Sequence, residues 1–265
     1  MIRRSERVTF NGGSGFELAG IVDVPDTQPL GTAIFTHCFT CNKDLKAIVR
    51  ISRGLAAAGF LVLRYDMTGL GGSRGDFSHT NFTSNRQDLL AACAFMSQTY
   101  AAPDFLIGHS FGGACSLSLA QVVDSVRGVV AVAAPSDTAH LADLLERMNP
   151  QIATQGSGSV SIGGQDFHIY DHMLADFRSF NLHAMLRQTT KPVLLFHSPV
   201  DQTLGFEHVL RLFALLTQRS GHDPDPSPTS LICLPGADHL LMRNPADIEF
   251  VTASTAAWFQ RLLAD

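Results

Sequence analysis

The sequence predicts an α/β fold, a mostly parallel sheet with helices on both faces and one small insertion. Three observations predict it. Short, near-continuous apolar runs at 33–37, 60–66, 129–134 and 192–197 alternate with helix-like stretches, the pattern of parallel strands buried on both faces. Gly108-His109-Ser110-Phe111-Gly112 sits at the seam between an apolar run at 104–107 and a small-residue run at 113–120. A G-x-S-x-G in that position is a sharp strand-to-helix turn that lifts its serine above the sheet. Finally, 265 residues, 45% hydrophobic and 16% charged, suit one ordered domain with a sizeable core.

The elements follow in order. Residues 7–10 and 16–24 read as antiparallel strands around the turn Asn11-Gly12-Gly13-Ser14-Gly15. A loop at 25–31 leads to the strand at 33–37, and helical periodicity over 45–58 stops at Gly59. The strand at 60–66 runs into a Gly-rich loop, 67–75, and a helix over 83–100 carries Asp88, Leu89, Leu90, Ala92 and Phe95 on its faces. The serine turn comes next, followed by the strand at 129–134. After Pro135 the alternation breaks. Residues 136–187 combine a polar helix-like stretch, a loop at Gly156-Ser157-Gly158-Ser159, the pair Gly163-Gly164 and a second helix-like stretch. They cannot bury a core of their own, so they read as an insertion within one domain spanning 1–265. The alternation resumes with a strand at 192–197, a helix at 206–219, a polar loop at 220–228, a last strand at 230–234 and a terminal helix at 246–263.

Composition excludes several classes of function. Nineteen basic against 24 acidic residues give a net charge of −5 with no basic block, which argues against a nucleic-acid partner. The start, Met1-Ile2-Arg3-Arg4-Ser5-Glu6-Arg7, is charged and lacks an apolar signal core. No apolar run approaches the ~20 residues a membrane span needs, so a cytoplasmic protein is the default expectation. The oligomeric state is not set by the sequence. Of five cysteines, Cys93, Cys115 and Cys233 lie in apolar patterns and read as small buried hydrophobes. Cys38 and Cys41 form a C-x-x-C, which either packs or works as a redox couple. Without a second such pair, a structural zinc is not expected.

A serine hydroxyl needs a base to attack, and the base needs an acid to orient it. On a sheet of this kind the chain order is Ser, Asp or Glu, His. His239, in Leu234-Pro235-Gly236-Ala237-Asp238-His239, is the candidate base, and Asp201, in Ser198-Pro199-Val200-Asp201, the candidate acid. Both loops leave the carboxyl edge of the sheet, the edge onto which the serine turn opens. Asp137, just after the strand at 129–134, is an alternative acid, and Asp201 could instead cap the next helix. Asp238 is expected to point away or brace its loop. The oxyanion of a tetrahedral intermediate needs two backbone donors. The Phe111 amide is one; the Phe39 amide, in His37-Cys38-Phe39-Thr40, is the second, with Cys38 as its alternative. His37 is expected to brace that turn and His109 to pack under the serine. His168, His172 and Asp176, at i, i+4 and i+8, could line one helix face as a metal site, although a partly exposed helix explains the same spacing.

Taken together, His37-Cys38-Phe39, the D-x-x-G-x-G-x-S loop from Asp66 to Ser73, Gly108-His109-Ser110-Phe111-Gly112, Ser198-Pro199-Val200-Asp201 and Gly236-Ala237-Asp238-His239 resemble the α/β-hydrolase superfamily over nearly the whole chain. The resemblance implies a serine hydrolase that cleaves carboxylic esters of small molecules through Ser110, Asp201 and His239 and an acyl-enzyme, with no cofactor and no metal. The insertion would cover the site as a lid. A peptidase, thioesterase or lactonase would use the same three residues, and a cofactor-free perhydrolase the same scaffold; a thiol redox protein acting through Cys38 and Cys41 is a separate alternative. The string His37-Cys38-Phe39-Thr40-Cys41-Asn42-Lys43-Asp44 is also similar to bacterial hydrolase domains often fused to an OsmC-type thiol peroxidase domain, here without the peroxidase part.

Overall fold

The computed structural model describes residues 4–217 and 228–264. An eight-stranded sheet is built from β1 (Arg4–Asn11), β2 (Glu17–Val24), β3 (Gly31–Thr36), β4 (Phe60–Tyr65), β5 (Phe105–His109), β6 (Gly128–Val132), β9 (Val193–His197) and β10 (Thr229–Cys233), in the spatial order β1-β2-β4-β3-β5-β6-β9-β10. β1 and β2 form an antiparallel hairpin, and β2 also lies antiparallel to β4. From β4 to β10 every pair is parallel.

The strand sequences assign their side chains to two cores by simple alternation. Along β3, Ile34 faces one core while Ala33 and Phe35 face the other; along β5, Leu106 divides from Phe105 and Ile107 in the same way. The first core lies under α2 (Phe82–Thr99), α3 (Phe111–Ser118) and α8 (Glu207–Thr217). The second lies under α1 (Lys46–Ala57) and α9 (Pro245–Ala264). Asn81 caps α2: its side chain accepts from Ser84 N–H at 2.8 Å, and the Ser84 hydroxyl accepts from Asn81 N–H at 2.8 Å. A short 3₁₀ turn at Phe77–His79, not read from the sequence, precedes it.

Between β6 and β9 the chain forms α4 (Ala139–Met148), α5 (Gln151–Gln155), the hairpin β7 (Ser157–Ile162) and β8 (Gln165–Tyr170), α6 (Asp171–Ser179) and α7 (Leu182–Gln188). Two sequence expectations fail here. Residues 157–159 belong to a strand, not a loop, because the hairpin closes at Gly163-Gly164 with φ of 60° and 79°, the turn in which both central residues need positive φ. His168 lies on β8 while His172 and Asp176 lie on α6, so the three do not share a helix face. Leu145, Ile152, Val160, Ile169, Met173 and Phe177 of this segment join the first core, so it shares the main core and has none of its own. Cys233 is a third correction: it is exposed, because β10 is the edge strand. Most of the polar loop read at 220–228, the end of the helix read at 206–219 and the first residues of the chain lie outside the described residues.

Candidate active site

The serine turn is built by close backbone approach. Ser110 has φ 53° and ψ −120°, a strained position for a residue with a side chain. It is pinned by Ser110 N–H to Val132 O at 2.8 Å and by Gly113 N–H to Ser110 O at 2.8 Å. A Cβ on Gly108 would fall 2.1 Å from Gly112 O, and one on Gly112 would fall 2.3 Å from Thr36 O and 2.4 Å from His37 O. These two positions therefore hold glycine so that α3 can start directly above β5 and β3. Phe111 is the first residue of α3, so its N–H has no carbonyl acceptor within the helix. The sequence reading began this helix two residues later.

The three predicted side chains meet. His239 Nε2 lies 3.0 Å from Ser110 Oγ, and His239 Nδ1 lies 2.7 Å from Asp201 Oδ2. With Nδ1–H donating to a carboxylate, Nε2 is left bare to accept the serine proton. Asp201 faces the base and does not cap the next helix, which begins only at Glu207; its second oxygen closes the loop before that helix. Oδ2 faces the imidazole, while Oδ1 accepts from Thr203 N–H at 2.8 Å and Leu204 N–H at 3.0 Å. Its side chain is 1% exposed. Burial pushes its pKa up, but the hydrogen bonds from His239 and from the Leu204 and Thr203 amides outweigh this and hold the carboxyl below its ordinary range.

Further histidines brace this core. His109 donates from Nε2 to the His239 carbonyl at 2.7 Å. Burial first, and the neighbouring His239 second, push its pKa down to about 3. His197, buried at the end of β9, donates from Nε2 to Leu204 O at 2.9 Å and stands 3.8 Å from Asp201 Oδ2. Burial lowers its pKa as well. Sequence reasoning missed His197, although its place at the carboxyl end of a strand next to the Asp201 loop was the available signal. Asp238 braces its loop as expected, accepting from Met242 and Arg243 N–H. Leu241 in that loop has φ 54°.

The alternative acid is occupied elsewhere. Asp137 Oδ1 accepts from His140 N–H at 3.0 Å, and Oδ2 lies 3.3 Å from Arg211 and 3.9 Å from His208. This group ties the entry to α4 onto α8. Among the described residues no group of three or more His, Cys, Asp or Glu could hold a metal ion, and no helix is long and apolar enough to cross a membrane.

The turn carrying Phe39 follows β3. Cys38 and Cys41 are joined by a disulfide and are not merely packed as two small apolar residues. Phe39 lies between them, in a turn closed by Cys41 N–H to Cys38 O at 3.2 Å. Its ring is 5.6 Å from that of Phe111 and 5.4 Å from that of Phe77. His37 braces the turn with a defined tautomer: Nε2 accepts from Met67 N–H at 3.0 Å, so Nδ1 carries the proton donated to Cys38 O at 2.8 Å. On the far side, Lys43 donates from its backbone to Asp66 Oδ1 at 2.6 Å and from Nζ to Asp66 Oδ2 at 2.7 Å. Asp66 is fully buried and also accepts from Gly72 N–H at 2.8 Å. Arg64 joins Lys43 O, Asp44 and Asp23 behind it. The D-x-x-G-x-G-x-S loop is thus bound to the Phe39 turn through one carboxylate.

Comparison with known proteins gives a consistent picture. A family model described as serine aminopeptidase, S33, matches residues 34–156. The esterase domain of a Rhodothermus marinus protein is 38% identical, with 97% of this chain and 98% of that chain covered and a TM-score of 0.73. Est1E from Butyrivibrio proteoclasticus bound to ferulic acid is 20% identical over 97% of this chain and 100% of that one, with a TM-score of 0.80. Mouse alpha/beta hydrolase domain-containing protein 10 is 19% identical over 97% and 99%, with a TM-score of 0.74. The last two likenesses speak to fold. No curated protein matches the sequence.

Proposed function

The chain belongs to the α/β-hydrolase superfamily of serine hydrolases, and from that premise we propose that it cleaves carboxylic esters through Ser110, His239 and Asp201. One observation carries the proposal. An unbroken hydrogen-bond chain runs from Ser110 Oγ through the imidazole to Asp201, with links of 3.0 and 2.7 Å.

Ser110 Oγ attacks the ester carbonyl while His239 Nε2 takes its proton. The imidazolium that forms is stabilised by Asp201, whose depressed pKa keeps it a carboxylate. The carbonyl oxygen becomes an oxyanion and accepts from the Phe111 and Phe39 amides. His239 then returns the proton to the leaving alcohol, giving an acyl-Ser110. In the second half, His239 activates a water that releases the acid. Ser110 and His239 exchange every proton with substrate and water while Asp201 stays ionised, so the reaction calls for no cofactor.

The 38% identical relative is described as an esterase domain, which supports esters over amides as the substrate class. We also assign residues 136–187 as a cap within a single domain. Phe177 of α6 sets its ring 5.7 Å from Phe111 and 6.0 Å from Phe39, at the two proposed oxyanion donors. A small-molecule ester turned over in the cytoplasm completes the reading. The test is hydrolysis of p-nitrophenyl acetate by the parent and by Ser110→Ala. Loss of several orders of magnitude in the variant is expected; parent-like turnover by Ser110→Ala refutes the proposal.

A further inference from the structure

We propose that the Cys38–Cys41 disulfide is a positioning element for the oxyanion turn, and that opening it lowers turnover while leaving the rest of the site assembled. The inference rests on the assignment of the Phe39 amide as an oxyanion donor.

The bond joins the residues on either side of Phe39 and Thr40, with their Cα atoms 5.4 Å apart. Thr40 inside this ring has φ 60°. A β-branched residue rarely adopts that conformation, and such positions persist only where their surroundings over-determine them. Without the sulfurs, His37 Nδ1–H still holds Cys38 O at 2.8 Å and the Phe39 ring still packs on Phe77, Phe111 and Phe177. Across the ring itself only the Cys41 amide to Cys38 O at 3.2 Å remains, with the Thr40 hydroxyl on Phe39 O at 2.7 Å; these two are local to the turn and can be replaced by water. The flanks are different. His37 on one side and Lys43 on the other are buried and fixed by contacts to Met67 and Asp66 that involve no sulfur. Opening the disulfide therefore frees only residues 38–41. The Ser110–His239–Asp201 contacts lie on other loops and do not pass through this turn.

The chemistry of opening is also set by burial. Cys38 is 4% exposed while Cys41 is half-buried, so an incoming thiolate reaches Cys41 Sγ. It forms a mixed disulfide there, and Cys38 leaves as a thiolate. The second thiol of a dithiol reductant then displaces Cys41. In sum, two electrons and two protons pass to the protein and the dithiol becomes a disulfide. A phosphine reductant reaches the same end state, taking its oxygen from water as it becomes the phosphine oxide. Proteins of reducing compartments keep disulfides mainly in transient, redox-responsive roles, so a bond at this place would make turnover depend on redox state.

The experiment is kcat and KM for p-nitrophenyl acetate before and after treatment with a phosphine, with thiols counted in denaturant. The count should rise from three, for Cys93, Cys115 and Cys233, to five. Because removing an oxyanion donor outright costs about 10²–10³ in kcat, loosening it should cost about tenfold or more, with KM nearly unchanged. Reoxidation should restore kcat. Cys38→Ser and Cys41→Ser should start at the low kcat and ignore the reductant, whereas Cys233→Ser should respond like the parent. Active-site titration with a fluorophosphonate should count the same number of sites in every state. Five thiols with unchanged kcat would overturn the proposal. So would a loss of titratable sites in step with activity, which would mark a merely structural bond, or a protein whose two cysteines stay reduced under oxidant. If turnover is indifferent to reductant while Ser110→Ala remains inactive, the positioning role alone falls and the hydrolase reading stands.

Discussion

His109 offers a prediction whose size follows from the structure. The residue is 4% exposed, its Nε2 proton is committed to the His239 carbonyl at 2.7 Å, and burial pushes its pKa down to about 3. In the unfolded chain the same residue titrates near its ordinary 6.5. Between those two values the unfolded state holds a proton that the folded state does not. Stability is therefore lost as pH falls below 6.5, at about 1.4 kcal/mol per pH unit. From pH 7 to pH 5, His109 alone should cost about 2 kcal/mol. Asp201 has the opposite sign: its depressed pKa contributes stability that disappears only as pH falls through and below the ordinary carboxyl value, which lies under this window. The substitution His109→Gln keeps a donor for the His239 carbonyl and removes the titration. Urea unfolding of both proteins at pH 7 and pH 5 should show the variant losing about 2 kcal/mol less than the parent. Equal losses in the two proteins, or a folded-state His109 that titrates near pH 6 by NMR, would refute the reasoning.

Other expectations follow from single contacts. Asp201→Asn keeps the shape of the triad but can favour the wrong imidazole tautomer, so kcat should fall by about 10³–10⁴ in a p-nitrophenyl acetate assay with KM little changed. Gly112→Ala places a Cβ 2.3 Å from Thr36 O and 2.4 Å from His37 O; neither backbone group can give way without moving the Phe39 turn. It should destabilise by about 3 kcal/mol, at the top of the range for overpacking, and reduce kcat, read by thermal unfolding and by rate. Lys43→Met leaves the Asp66 carboxylate buried without its cation. The expected loss is about 3–5 kcal/mol in denaturant unfolding, with Lys43→Arg closer to the parent.

The fold was legible wherever residue pattern and tertiary role coincide. The apolar runs of β3, β4, β5, β6 and β9 are buried on both faces, so their sequences read as the continuous apolar strands of a covered parallel sheet. The meeting of Ser110, His239 and Asp201 was legible because chain order and sheet edge together constrain where an acid and a base can sit. The segment from α4 to α7 was harder. Its strands are short and only half apolar, and the pair Gly163-Gly164 was noted without being taken as the hairpin signal it is. Counting His168, His172 and Asp176 at helical spacing failed because the period changes at Tyr170, where β8 gives way to α6. The disulfide was invisible for another reason: a C-x-x-C has the right spacing both for a bond and for packing, and only the turn at Phe39 and Thr40 brings the sulfurs together. The Lys43–Asp66 tether joins residues 23 apart in sequence, beyond the reach of any local pattern.

In the proposed reaction the Ser110 hydroxyl is the attacking group. Reaction with a fluorophosphonate followed by peptide mass mapping tests this role most directly. One adduct per chain is expected, on Ser110, with ester hydrolysis lost in proportion to labelling. An adduct on another residue, or full turnover by a protein fully labelled at Ser110, would contradict that role.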